Sequence, residues 1–317
     1  MKEYKGNIVK NSKLQEIYKE LSRNRALFLM MVPTIILIFI NCYLPLFGIV
    51  LAFKNYNFAD GLLNSPWSGF ENFKYLFQTH DAWIITRNTL GYNLEFIVLN
   101  LILSLTIAVV LSELTNKFLG KFYQSVMFLP YFLSWVVVAY LVYALLAPEG
   151  LFNKSIAPML NIDTIDFYNE EKYWPFIFPI VNIWKGIGYG VVIYLAGIAG
   201  IDHEYYEAAT LDGANKYRQV INITIPFLKP MMIVTTIIGL GYIFRSDFGL
   251  FFQLPMNSGL IYNTTAVLDT YIYGVLMNST DLGMSAAAGF YQSVVGFIFV
   301  LLANWTIGKI SEENKIF

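Results

Sequence analysis

The sequence predicts an all-α integral membrane protein with six transmembrane helices, and three observations carry that reading. Hydrophobic residues make up 56% of the 317 positions and charged residues only 14%, where soluble domains carry charge at about 25% of positions. The apolar residues are gathered into long runs, and mean hydropathy is +0.53. The connecting segments are basic on alternate sides of those runs.

Residues 1–25 are polar and basic, with Lys2, Lys5, Lys10, Lys13, Lys19, Arg23 and Arg25. Leu14, Ile17, Tyr18 and Leu21 recur at helical spacing, so the segment reads either as an amphipathic surface helix or as a solvated tail. Six spans follow, each long enough for a bilayer core that needs roughly 20 residues. They are Ala26–Phe53, Thr89–Glu113, Phe122–Leu146, Trp174–Gly200, Phe227–Phe252 and Leu282–Gly308. Residues 26–308 thus form one membrane domain, with 89–308 as its core and 309–317 as a polar tail.

Lys and Arg sort these connections. Fourteen lie on the side of the N-terminus, the 114–121 turn, the 202–226 segment and the C-terminus, against five on the other side. The positive-inside rule places both termini and residues 202–226 in the cytoplasm. A net charge of -1 gives no reason to expect nucleic-acid binding, and the single cysteine, Cys42, cannot close a disulfide within the chain. His80 and His203 fall on opposite sides of the membrane. No Walker A, HExxH or Gly-x-Ser-x-Gly pattern occurs, so the chain is read as non-enzymatic.

The segment 202–226, DHEYYEAATLDGANKYRQVINITIP, is a polar island between two apolar spans. Asp202 suits an N-cap, and Glu204 adds negative charge in the first turn, where the helix dipole favours it. Gly213 ends the run as a residue free to take positive φ. A second helical piece over 214–223 precedes Pro226. The whole reads as helix, glycine break, helix.

Polar residues inside the spans are the second signal, because a charge near the bilayer centre costs about 3 kcal/mol on insertion scales. Lys185 lies in the outer half of the fourth span, and Arg245 and Asp247 in that of the fifth. Asn182, Lys185 and Tyr189 share one helix face, as do Tyr242 and Arg245. Gly186 and Gly190 have the small-xxx-small spacing of close helix contact. One reading is a solvated pocket of aromatics, amides and charges, chemistry that suits a sugar. The other is an interhelical salt bridge, Lys185 with Asp247, that fixes the bundle.

At the polar island the residues match a family. Glu207-Ala208-Ala209, then Asp212-Gly213-Ala214, then Ile225-Pro226 resembles the EAA loop of binding-protein-dependent ABC importer permeases. The family's usual Ile-Pro before this helix is Ile201-Asp202 here. NFKYLF (72–77), FLPYFLSWVV (128–137), DTYIYGVL (269–276) and GFYQSVVGFIFVLLANW (289–305) look like the carbohydrate-uptake branch, most of all its polysaccharide and complex-oligosaccharide permeases. Gln292, within the last of these segments, joins Asn182, Lys185, Tyr189, Tyr242, Arg245 and Asp247 as a candidate pathway residue.

The resemblance implies a type I importer permease fold in a bacterial cytoplasmic membrane, paired with a second, homologous permease. It implies two ATPase subunits below, which carry ATP and magnesium, and an extracellular solute-binding protein above. This chain itself would bind no cofactor. Glu207, Ala208, Ala209, Asp212, Gly213 and Ala214 would form the coupling helix, and a carbohydrate would be the cargo. The competing reading is an ion-coupled secondary transporter, which needs an ion site and often an internal repeat; neither is evident in the sequence.

Overall fold

The computed structural model describes residues 19–279 and 281–310. Most of the basic N-terminal segment and the polar tail therefore lie outside the described residues, as does most of the amphipathic pattern at 14–21. Five helices are long and apolar enough to cross a membrane, six if a bent pair counts as one span. Among the described residues the only β pairing is an isolated bridge between Lys54 and Trp67.

The first span, α1 (Arg25–Phe53), is continuous through a π turn and a final 3-10 stretch. Its side chains are almost all exposed, and it is anchored only near its outer end. There Ala52 and Phe53 pack with Phe73 of α2 (Glu71–Gln78) and with Ala287 and Phe290 of α11 (Leu282–Ile310). The second span, α3 (Asp81–Ser112), starts eight residues before the predicted Thr89. The apolar run marks only the part in lipid, and the helix continues beyond it because Asn88 and Thr89 bond the outer loops.

The third span departs most from expectation. Instead of one helix over 122–146 there are two, α4 (Lys117–Phe128) and α5 (Trp135–Leu146), bent by 100° around a 3-10 turn. Pro130 removes a backbone donor at the break, and Ser134 Oγ accepts the Val137 N–H at 3.3 Å to cap the new helix.

The fourth span, α6 (Trp174–Ala199), packs most extensively on α3. Two glycines allow this crowding. A Cβ at Gly188 would stand 2.3 Å from the Met127 carbonyl oxygen of α4, and one at Gly190 would stand 2.3 Å from Ser104 Oγ of α3. Gly186, by contrast, faces open space. The close-contact pair is therefore Gly188 and Gly190, not Gly186 and Gly190.

After the short helix α7 (His203–Leu211) comes α8 (Lys216–Gly241). It begins eleven residues before the predicted Phe227, and it passes Pro226 and Pro230 without stopping. A five-residue π stretch at 220–224 absorbs the entry of Pro226, which sits in the first turn of the segment that follows. The helix then ends at Gly241, and residues 242–247 form a turn. The short α9 (Phe248–Gln253) follows, capped by Asp247, whose Oδ1 accepts the Gly249 and Leu250 N–H groups at 3.0 and 3.3 Å. Arg245 and Asp247 are thus turn residues beyond the helix end. A short helix α10 (Leu268–Gly274) precedes α11.

An aromatic cluster joins the outer ends of α3, α6 and α9. Phe178 touches Trp174, Tyr92 and Phe251 with ring centroids 5.1, 5.3 and 4.6 Å apart. Each such pair adds about 0.5–1.5 kcal/mol beyond simple burial. Trp174 Nε1 donates to the Phe167 carbonyl at 2.7 Å, so its buried polar atom is satisfied.

Candidate functional site: a cavity and a polar knuckle

The knuckle at 202–226 has the predicted local form. Asp202 Oδ1 accepts the Glu204 N–H at 3.1 Å, α7 runs to Leu211, and Gly213 takes φ +77°. Asn215 Oδ1 then accepts the Arg218 N–H at 3.0 Å to cap α8. The two arms are bound together side chain to side chain. Tyr206 OH and Thr224 Oγ1 lie 2.9 Å apart, and Gln219 Nε2 donates to Thr210 Oγ1 at 2.8 Å. Lys216 forms an ion pair with Glu113 at the inner end of α3, at 2.8 Å. Glu207, Ala208, Asp212 and Gly213 are exposed, while Ala209 and Ala214 are half-buried. Leu211 is 89% exposed and Tyr217 73%. These two large side chains project into water beside the motif and carry no residue-type signal that marked them in the sequence.

Helices α6 and α8, which the knuckle connects, also form two walls of a cavity of about 490 Å³; α3 is the third. Asn182, Tyr189, Tyr242 and Arg245 line it. Asn93 and Asn100 of α3 line it too, and the sequence reading passed over them. Their signal was two amides seven residues apart in an apolar run, hence on one helix face. Asn100 Nδ2 donates to the Phe96 carbonyl at 2.9 Å and to Asn182 Oδ1 at 3.3 Å. Asn93 Nδ2 donates to the carbonyls of Ile243 and Arg245 at 2.8 and 3.1 Å, which ties the 242–247 turn to α3. Glu95 also lies on α3 but does not line the cavity.

Lys185 and Asp247 sit beside the cavity on either side of Trp135, and they do not pair. Lys185 Nζ donates to the Tyr131 carbonyl at 2.9 Å and lies 5.4 and 5.0 Å from the Tyr131 and Trp135 rings. Asp247 Oδ2 accepts the Trp135 indole N–H at 2.7 Å. With Oδ1 capping α9, both Asp247 oxygens are engaged. The alternative reading, a Lys185–Asp247 salt bridge, gives way to a cation–π box and a helix cap because the turn swings Asp247 off the helix face. Tyr131 stacks on Tyr189 at 5.5 Å and 13°, joining the Lys185 box to the cavity wall. Gln292 lies behind the turn. Its Nε2 donates to the Phe244 carbonyl at 2.6 Å and to Asp269 Oδ2 at 3.1 Å, and Asp269 Oδ2 also accepts the Ser246 N–H at 2.7 Å.

Comparison with known proteins identifies the family. The model of the family described as "binding-protein-dependent transport system inner membrane component" matches residues 100–311. The polygalacturonan/rhamnogalacturonan transport system permease protein YteP of Bacillus subtilis (strain 168) is 30% identical, over 97% of this chain and 95% of its own. The diacetylchitobiose uptake system permease protein DasB of Streptomyces coelicolor is 27% identical over 75% of this chain and 73% of its own. Among solved structures, a bacterial ABC transporter involved in the import of the acidic polysaccharide alginate superposes with a TM-score of 0.85. It is 31% identical, covering 93% of this chain and 99% of that one. A bacterial alginate ABC transporter in complex with an alginate pentasaccharide-bound periplasmic protein matches at 0.83, with 30% identity over 93% and 98% of the two chains. By family match and by fold, the chain belongs to the inner-membrane components of binding-protein-dependent transport systems and is a multi-pass ABC importer permease.

Proposed function

We propose that this permease forms half of the translocation pathway for a carbohydrate and transmits force to it through the 202–226 knuckle. The observation that carries the proposal is mechanical continuity: the two helices joined by the knuckle, α6 and α8, are the two that wall the cavity with α3. In this reading the termini and knuckle are cytoplasmic, following the charge asymmetry. A second, homologous permease completes the pathway, two ATPase subunits hold ATP and magnesium, and a solute-binding protein delivers cargo from outside. Glu207 to Ala214 seats in an ATPase cleft, with Leu211 and Tyr217 as apolar anchors. Closure of the ATPase pair moves the two knuckles together, and the cavity walls follow.

The cavity chemistry suits a sugar. Tyr189 and Tyr242 offer ring faces, Asn93 and Asn100 offer their amide oxygens, Asn182 offers its amide nitrogen, and Arg245 offers charge. Among the described residues neither Lys185 nor Arg245 forms an ion pair. The nearest acid in the turn, Asp247, has both oxygens committed. Two cations without a carboxylate partner, Arg245 in the cavity wall and Lys185 beside it, favour an anionic cargo such as a uronate oligosaccharide, in keeping with the alginate and polygalacturonan systems it resembles.

The test is uptake of oligogalacturonates against neutral xylo-oligosaccharides by the assembled transporter. Lys185→Gln with Arg245→Gln is expected to lower acidic uptake about tenfold relative to neutral uptake, the loss of one charge-assisted hydrogen bond or more. An unchanged acidic-to-neutral ratio contradicts the assignment of an anionic cargo.

A further inference from the structure

A second cavity, of about 630 Å³, opens in the segment joining the outer ends of the fifth and sixth spans. It lies between α9, the 254–258 loop and α10, and shares no lining residue with the cavity between α3, α6 and α8. One wall is a rigid aromatic cluster. Phe248, Phe252 and Tyr273 pack against one another with ring centroids 4.9 to 5.0 Å apart, and Phe252 and Tyr273 face the cavity. No Lys, Arg, Asp or Glu lines it.

The lining also includes the amides of Asn257 and Asn278. Asn72, Asn153 and Asn263, in the same outer region, bond carbonyls or a carboxylate. Among the described residues, the Asn257 and Asn278 amides have no such partner. Asn257 is also held at some cost. It and Met256 adopt φ of 53° and 52°, a left-handed pair without glycine. The loop is pinned in that form by Ser258 Oγ, which donates to the Tyr168 carbonyl at 3.0 Å, and by Met256, whose side chain packs on the main core. Strained backbone that its surroundings over-determine is characteristic of binding sites.

Flat aromatic faces and uncommitted amides in one lining, without charge, match a pyranose ring, which stacks through its C–H face and bonds through hydroxyls that both donate and accept. We propose that this cavity is a second carbohydrate subsite, holding one sugar ring of an oligosaccharide against the Phe252–Tyr273 wall and the amides of Asn257 and Asn278. The proposal rests on the carbohydrate reading above. Only α9, about 9 Å of helix, separates this loop from the 242–247 turn at the first cavity. A short cargo therefore occupies one site, and a longer chain reaches both.

The experiment is ATP-driven import by the assembled transporter, with its binding protein, of oligogalacturonates and xylo-oligosaccharides from two to six units. Tyr273→Ala and the double variant Asn257→Ala/Asn278→Ala remove different parts of the lining, so a folding defect in one leaves the other informative. Each is expected to lower the hexamer-to-dimer import ratio about tenfold, the cost of a lost stacking face or of lost paired hydrogen bonds. The effect should appear in both series, because the subsite carries no charge. An unchanged ratio overturns the subsite. So does an equal fall at every length accompanied by weaker binding-protein docking, which would make this face a docking surface. Wild-type import of neither series overturns the carbohydrate cargo itself, a result distinct from wild type and variants importing alike.

Discussion

At the scale of single residues, a few side chains hold the half of the molecule away from the knuckle together, and one backbone angle shapes the knuckle itself. Buried Asn88 donates both amide hydrogens, to the Asn263 and Ala266 carbonyls at 2.9 Å each, while its oxygen accepts from Arg87. Asn88→Ala removes the partner of the Ala266 carbonyl, at about 1–3 kcal/mol, while the Asn263 carbonyl still accepts from the Arg87 guanidinium at 2.8 Å. A lower thermal midpoint for the purified assembly is expected, and an unchanged midpoint contradicts this role. Gly213 is different in kind. A Cβ there meets nothing within 4 Å, so only its φ of +77° excludes other residues. Alanine in that region costs about 1–2 kcal/mol, and asparagine less because it tolerates left-handed backbone. Transport coupling should rank Gly213, then Gly213→Asn, then Gly213→Ala. Equal coupling in all three would mean that the turn angle does not matter.

At the scale of elements, much was legible in the sequence, and the failures share a cause. The knuckle was readable because its signals are local: an N-cap at Asp202, a glycine break at 213, and fixed motif spacing. The existence of the spans was readable from hydropathy. Their ends were not, because hydropathy reports the medium around a helix and not its hydrogen bonding. Thus α3 and α8 extend past the lipid-facing run, and α8 stops at Gly241 although Phe248–Phe252 remain apolar. Pro130 and Ser134 stood inside the third run as a break and a cap, outweighed by the apolar count. The partners of Lys185 and Asp247 were hidden for a related reason, since Trp135 reaches them only through the 100° bend. That bend depends on α4 lying across α6 at Gly188. Gly188→Val drives a side chain into the Met127 backbone, which cannot move without opening the helix pair. Loss of assembled, membrane-inserted protein is expected, whereas Gly186→Ala, facing open space, should assemble normally. Normal assembly of Gly188→Val would contradict the close crossing.

At the scale of the whole molecule, the proposed function makes the chain a lever with a chamber above it. The knuckle is stiffened by Tyr206–Thr224 and Gln219–Thr210, tied to α3 through Lys216–Glu113, and continuous with the two helices that wall the cavity. In the proposed mechanism, force applied at 207–214 passes through these bonds toward Asn182, Tyr189 and Tyr242. The first span, docked only near its outer end, leaves a long apolar face free for lipid or the second permease. The most direct measurement compares ATP hydrolysis and cargo import in proteoliposomes holding the complete transporter, with wild-type chain and with Glu207→Lys or Leu211→Asp. The account predicts ATP- and binding-protein-dependent import by wild type. It predicts at least about tenfold less cargo moved per ATP in the variants, the effect of a lost interface anchor, with assembly of the membrane domain retained. Undiminished import per ATP in both variants, or import by this chain alone under an ion gradient, would contradict it.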